Sequence, residues 1–100
     1  MKTSKILHTK DIKGEEVVEI KIWQVPKSDD KPFGIKYSVV YIKDGKRVLG
    51  YDNAEGKGDH KHYRSNETTY KFSSIWNLLR DFKTELKRIR GGDWDEDKKD

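Results

Sequence analysis

The sequence predicts a single α+β domain, an antiparallel meander of three or four strands followed by one long C-terminal helix. Three observations carry that expectation. Apolar and polar residues alternate with period two in Glu15–Val25, and Ile35–Tyr51 is rich in β-formers, as half-buried strands are. An Asp44-Gly45 dipeptide joins two β-rich runs, and a type I′ hairpin turn needs positive φ at both of its central residues. Beyond Ser73-Ser74 the apolar period changes to that of a helix.

Taken in order, residues 1–14 are polar and carry weak structural signals. Val18, Ile20 and Ile22 then alternate with Glu19, Lys21 and Trp23 in a first strand. Pro26–Pro32 is a charged, proline-bounded loop. The Asp44-Gly45 hairpin, read with regular pairing, sets Lys43 against Lys46, Tyr41 against Val48, Val39 against Gly50 and Tyr37 against Asp52. Asp52–Asp59 is rich in turn formers, His60–Arg64 is a short candidate fourth strand, and Ser65–Thr69 reads as turn or loop. Ile75, Leu78, Leu79, Phe82, Leu86 and Ile89 form one apolar helical face. Ser73 or Ser74 is the expected N-cap and Gly91 the C′ residue. Residues 1–92 are expected to form the domain. Residues 93–100 are expected to form an acidic, disordered tail with Trp94 as its one hydrophobic anchor.

Composition narrows the function classes. Of the 100 residues, 40% are charged and 22 are Leu, Ile, Val or Phe, just above the ~20% below which highly charged chains stay disordered. A core this small argues against a large organic cofactor, and none is expected. With no cysteine, the chain has no disulfide, thiolate nucleophile or Cys-ligated metal. No apolar run approaches the ~20 residues of a membrane span, and Met1–Lys10 lacks a signal-peptide core, so a cytoplasmic protein is expected. The net charge is +4, but the last eight residues carry −3, which leaves +7 on the other 92. A basic body of this size suits a phosphate-rich or acidic partner.

The densest polar run is Asp52–Arg64, D-N-A-E-G-K-G-D-H-K-H-Y-R. If His60–Arg64 is extended, His60, His62 and Arg64 share one face. Two imidazoles suit acid–base cleavage of RNA, because one can take the 2′-hydroxyl proton while the other protonates the leaving 5′-oxygen. Arg64 would then hold the phosphate, and its charge would oppose a metal ion at the same place. A second use of the same residues is a metal site of His60, His62 and Asp52 or Asp59. Tyr37 and Tyr41 on the hairpin are core candidates, or Tyr37 a stacking surface for a base. On the helix, Trp76, Arg80, Lys83, Lys87 and Arg90 form a second stripe, either a solvated face or a docking surface for an acidic partner.

The run Y-S-V-V-Y-I-K-D-G-K-R-V-L-G-Y-D-N-A-E-G-K-G-D-H-K-H-Y-R, followed by Y-K-F-S-S-I-W-N-L-L-R-D-F, resembles the TumE family. The likeness covers residues 15–90. Its most specific pieces are Tyr51-Asp52-Asn53, His60–Arg64 and the helix start Phe72–Phe82. The resemblance implies a ribonuclease toxin of a prokaryotic toxin–antitoxin module, encoded beside an antitoxin with a helix-turn-helix domain. It also implies a fold akin to RelE/ParE-type toxins, in which helices usually precede the meander. Carried onto this chain, it marks Asp52, Asn53, His60 and His62 as site positions, with Tyr63 and Arg64 beside them. The leading expectation is therefore a metal-independent RNA-cleaving toxin. In it Asp52 orients an imidazole, and Asn53 hydrogen-bonds backbone or substrate. A non-catalytic basic interaction module and a metal-dependent hydrolase are the alternatives.

Overall fold

The protein is seen in a computed structural model that describes residues 3–53 and 58–91. Six strands run in sequence order as one antiparallel sheet: β1 (Ser4–Lys13), β2 (Glu16–Gln24), β3 (Ile35–Lys43), β4 (Lys46–Asp52), β5 (His60–Tyr63) and β6 (Asn66–Thr69). One helix, α1 (Ile75–Arg90), follows. The class is α+β as expected, but with six strands rather than three or four. The two additional strands are the edges. β1 is exposed along its length except at Leu7, and β6 is exposed throughout. Backbone pairing rather than burial holds such strands, so they carry no alternating apolar signature. Polar edges also discourage pairing with other chains. The expected acidic tail and Trp94 lie outside the described residues.

The β3–β4 turn is as expected, with φ of 54° at Asp44 and 77° at Gly45, and Lys43 faces Lys46. The register then slips. A bulge sets Ile42 against Arg47 and Tyr41 against Leu49, which leaves Val48 as the additional residue. The expected pairs Tyr41–Val48, Val39–Gly50 and Tyr37–Asp52 become Tyr41–Leu49, Val39–Tyr51 and Ser38–Asp52. The cause lies in the adjacent Val48 and Leu49, both buried. Without the bulge, strict alternation would turn Leu49 and Tyr51 away from the core.

Leu49 and Tyr51 therefore join Tyr37, Val39 and Tyr41 beneath α1, whose buried residues are Leu78, Phe82 and Leu86. Burial of each such side chain contributes ~1.5–3 kcal/mol. Tyr37 stacks on Phe72 at 5.0 Å, and Tyr51 meets Phe82 edge-on at 6.2 Å. The helix is capped at both ends. Ser74 Oγ accepts from the Asn77 N–H, and Gly91, at φ 69°, donates its N–H to the Lys87 carbonyl. Its last turn is tied to β2, where Arg90 Nε donates to Glu16 Oε1 at 2.5 Å and the Tyr41 hydroxyl donates to the same oxygen at 2.8 Å. The Arg90 hydrogen bond holds the Glu16 carboxyl below its ordinary value, against the opposing effect of burial. Helix and core thus occupy one face of the sheet, and the other face carries no helix among the described residues.

Candidate functional site

Pairing of β4 with β5 sets Asp52 opposite His60 and Gly50 opposite His62. These residues alternate with Leu49, Tyr51, Lys61 and Tyr63, so they point to the face without the helix. The bulge is what brings Asp52 there. Lys61 lies on the helix face, where it pairs with Glu85 at 3.5 Å.

Asp52 lies between the two imidazoles. Its Oδ1 is 2.9 Å from His60 Nε2, and its Oδ2 is 3.5 Å from His62 Nε2. The rings meet edge to face with centroids 4.9 Å apart. His60 Nδ1 donates to the Gly58 carbonyl at 3.1 Å, which fixes the proton on that nitrogen. Both nitrogens of His60 therefore face acceptors, and only the imidazolium form can donate to both. Glu67, on β6, stands 3.7 Å from His60 Nε2. His62 differs in its surroundings. Burial and then the charge of Arg47 hold its pKa below the ordinary histidine value, against Asp52 and Glu67, which raise it. A shallow cleft of about 340 Å³, lined by Asp59, His60, Glu67, Thr68 and Thr69, opens beside His60.

Asp52, His60 and His62 each present a ligand atom within 4.8 Å of the others, a spacing one metal ion could bridge. Asp59, the alternative carboxylate, is not part of that convergence and accepts from the Tyr37 hydroxyl at 2.7 Å. A carboxylate between two imidazoles can thus support proton transfer or hold an ion.

The other expected site residues lie elsewhere. Arg64 does not share the histidine face. Alternation stops at Tyr63, and Arg64 takes a turn conformation with φ 56°, its N–H donating to the Val48 carbonyl at 2.9 Å. Its guanidinium lies 5.2 Å from the Tyr63 ring, on the helix side, where it lines a cleft with Glu16, Tyr41 and Arg90. Tyr63 is on that side as well. Tyr37 is fully buried and offers no ring face to a base. Asn53 is buried and serves the backbone. It accepts from the Tyr37 N–H at 3.0 Å and donates to the Ile35 carbonyl at 2.8 Å, which anchors the chain just after Asp52. Of the helix stripe, Trp76 is 83% exposed and Lys83 is exposed. Arg80 lies 3.4 Å from Asp81, while Arg90 belongs to the pair with Glu16.

Two neighbours escaped the sequence reading. Arg47 runs over Gly50 toward His62: a Cβ on Gly50 would meet Arg47 Cδ at 3.2 Å. The adjacent apolar Val48 and Leu49 were the available signal, because they break the alternation and so announce a bulge. Glu67 had no such signal, since it sits on a wholly polar strand.

Among the described residues no helix is long and apolar enough to cross a membrane. A family model described as Toxin TumE matches residues 2–90. Searches of curated proteins and of solved structures gave no match.

Proposed function

The chain belongs to the TumE toxin family, and from that premise we propose that it cleaves RNA by metal-independent acid–base catalysis and is neutralised by a cognate helix-turn-helix antitoxin. The observation that carries this reading is the His60–Asp52–His62 cluster on the face without the helix. His62, held toward its neutral form by burial and Arg47, takes the proton from the 2′-hydroxyl. The 2′-oxygen attacks the adjacent phosphorus, the bond to the 5′-oxygen breaks, and His60 gives that oxygen its Nε2 proton. The products are a 2′,3′-cyclic phosphate and a 5′-hydroxyl. Gly58 holds the other nitrogen of His60, so Nε2 is the transferring atom, and the leaving oxygen takes the place of Asp52 Oδ1 at that nitrogen. Asp52 is a positioning residue that orients both rings and stabilises the imidazolium. Kinship with RelE/ParE-type toxins belongs to the same proposal. It rests on the shared plan of an antiparallel sheet with helical cover, although here the helix follows the strands.

The second reading is a metal-dependent hydrolase. The favouring observation is the convergence of ligand atoms from Asp52, His60 and His62. The nearby charge of Arg47 disfavours a divalent ion there. One experiment separates the two readings. The purified chain is incubated with RNA, with and without chelator, and the new ends are identified. Chelator-resistant cleavage leaving cyclic phosphate is expected, with losses of ~10²- to 10⁴-fold in each of His60→Ala and His62→Ala. Little change is expected in His8→Ala. Chelator-sensitive cleavage leaving a 5′-phosphate would overturn the assignment in favour of the metal.

A further inference from the structure

The face that carries the histidine cluster continues across two more strands, β3 and β2. Lys21, Ser38, Asp52 and His60 form one cross-strand row through the pairs of β2 with β3, β3 with β4 and β4 with β5. With strands ~4.8 Å apart, Lys21 stands ~14 Å from His60 along that row. One step beyond the row, Trp23 faces Lys36 across the β2–β3 pair, with Lys36 Nζ 5.4 Å from the ring centre. On the other side of the cluster Arg47 lies over Gly50 beside His62.

The charges on this face are divided unevenly. The acids are engaged: Asp52 with the two imidazoles, Glu67 near His60, and Glu19 with His8 at 2.9 Å. Among the described residues Arg47, Lys21 and Lys36 are each without a carboxylate within ion-pair distance. Among the described residues, three cations outside ion-pair distance of a carboxylate and one indole therefore flank the cluster on a face that the helix does not cover; of the three, Lys21 still acts on Glu19 through its charge.

We propose that this sheet face is the substrate platform, on which a single-stranded RNA lies with its reacting phosphate against Arg47 and a neighbouring base on Trp23. The proposal rests on the RNA-cleaving reading above and supplies the phosphate ligand that Arg64, on the opposite side, cannot. Arg47 suits that role because a planar guanidinium offers paired donors to phosphate oxygens. Single-stranded RNA is the class that fits. Its bases are free to stack on an aromatic side chain, whereas duplex bases are already stacked. The exposed helix residues Trp76, Arg80 and Lys83 face away from this surface. RNA and a protein partner can therefore be held on different sides.

The test is fluorescence anisotropy of the full chain with a short labelled single-stranded RNA carrying 2′-O-methyl groups, which blocks 2′-oxygen attack. Arg47→Ala is expected to weaken binding about tenfold and to lower the salt slope by about one phosphate contact. Arg47→Lys should recover part of the loss. Trp23→Ala is expected to weaken binding by about tenfold with the salt slope unchanged. The pair Arg80→Glu and Lys83→Glu should bind as the parent does. If Arg47→Ala and Trp23→Ala bind within about twofold of the parent while His62→Ala still abolishes cleavage, the platform is wrong and the catalytic reading survives. If binding needs Arg47 and Trp23 yet no RNA is cleaved, the platform stands and the catalytic reading falls. Equal affinity for duplex RNA, or loss of binding in the helix variants instead, would also overturn the platform.

Discussion

Asp52→Asn removes a charge and almost nothing else. The amide keeps the size of the carboxylate and an oxygen acceptor, but loses the charge that lies 2.9 Å from His60 Nε2 and 3.5 Å from His62 Nε2. Opposite unit charges ~4 Å apart attract by about 4 kcal/mol at an effective dielectric of ~20, and by about 1 kcal/mol in water. The Asp52 side chain is 21% exposed, so its contribution falls between those limits. A hydrogen bond to a charged group, about 1.5–3 kcal/mol, is the appropriate scale. At ~1.36 kcal/mol per tenfold, cleavage should slow by roughly 10- to 150-fold. That is a smaller loss than removal of either imidazole, because Asp52 positions the rings and transfers no proton. The loss should fall on kcat, with KM for RNA little changed, because Arg47 and Trp23 rather than Asp52 carry binding. Single-turnover cleavage of a labelled RNA reads the rate, and a thermal melt checks that the variant is folded. Cleavage by Asp52→Asn within about twofold of the parent would refute the role given to this carboxylate. Recovery of the lost activity by added divalent metal would refute the metal-free chemistry itself.

Three further outcomes follow from the geometry. His62 is held below the ordinary histidine value chiefly by burial and next by Arg47. The acidic limb of the pH–rate profile should therefore lie below that of an ordinary histidine, and Arg47→Ala should move it upward. The sign for stability is the same: with the folded-state pKa depressed, His62 contributes above its unfolded value and loses that contribution as pH falls through the folded one. NMR titration of the imidazole checks both. Arg90→Ala breaks the pair with Glu16 and should cost about 1.5–3 kcal/mol, or a drop of several degrees in Tm. Because Glu16 is depressed, that penalty should be full at neutral pH and shrink in acid as Glu16 protonates, which calorimetry at several pH values would show. Trp76→Ala with Lys83→Glu should spare RNA cleavage and weaken antitoxin binding by more than about tenfold. Unchanged neutralisation would leave that helix face as solvated surface.

Legibility in the sequence followed the strength of the burial signal. Helix α1 was readable to within a residue, with Ser73 or Ser74 as its cap, because six apolar positions, a serine pair and a glycine terminator all agree. Strands β2, β3 and β4 were readable because one side of each is packed under that helix. β1 and β6 were not, since a strand held by its ladder alone leaves no periodicity in the side chains. The site sits on the border between these cases. His60 and His62 were recognisable as a pair from H-x-H spacing, but the face they occupy depends on the register of β4, and that register depends on Val48. One additional residue turns Leu49 and Tyr51 into the core and, by the same rotation, turns Asp52 and the histidines paired with β4 to the face that Arg47 already occupies. The regular register paired Asp52 with Tyr37 and left Arg64 as the nearest cation. The bulge thus satisfies core packing and site assembly together. Deleting Val48 should therefore cost its buried side chain and little else, because the shortened β4 pairs regularly with β3 through the pairs already present, Tyr41 with Leu49, Val39 with Tyr51 and Ser38 with Asp52. A lowered Tm with cleavage retained is the expected result, and loss of cleavage in a folded chain would refute this account of the register.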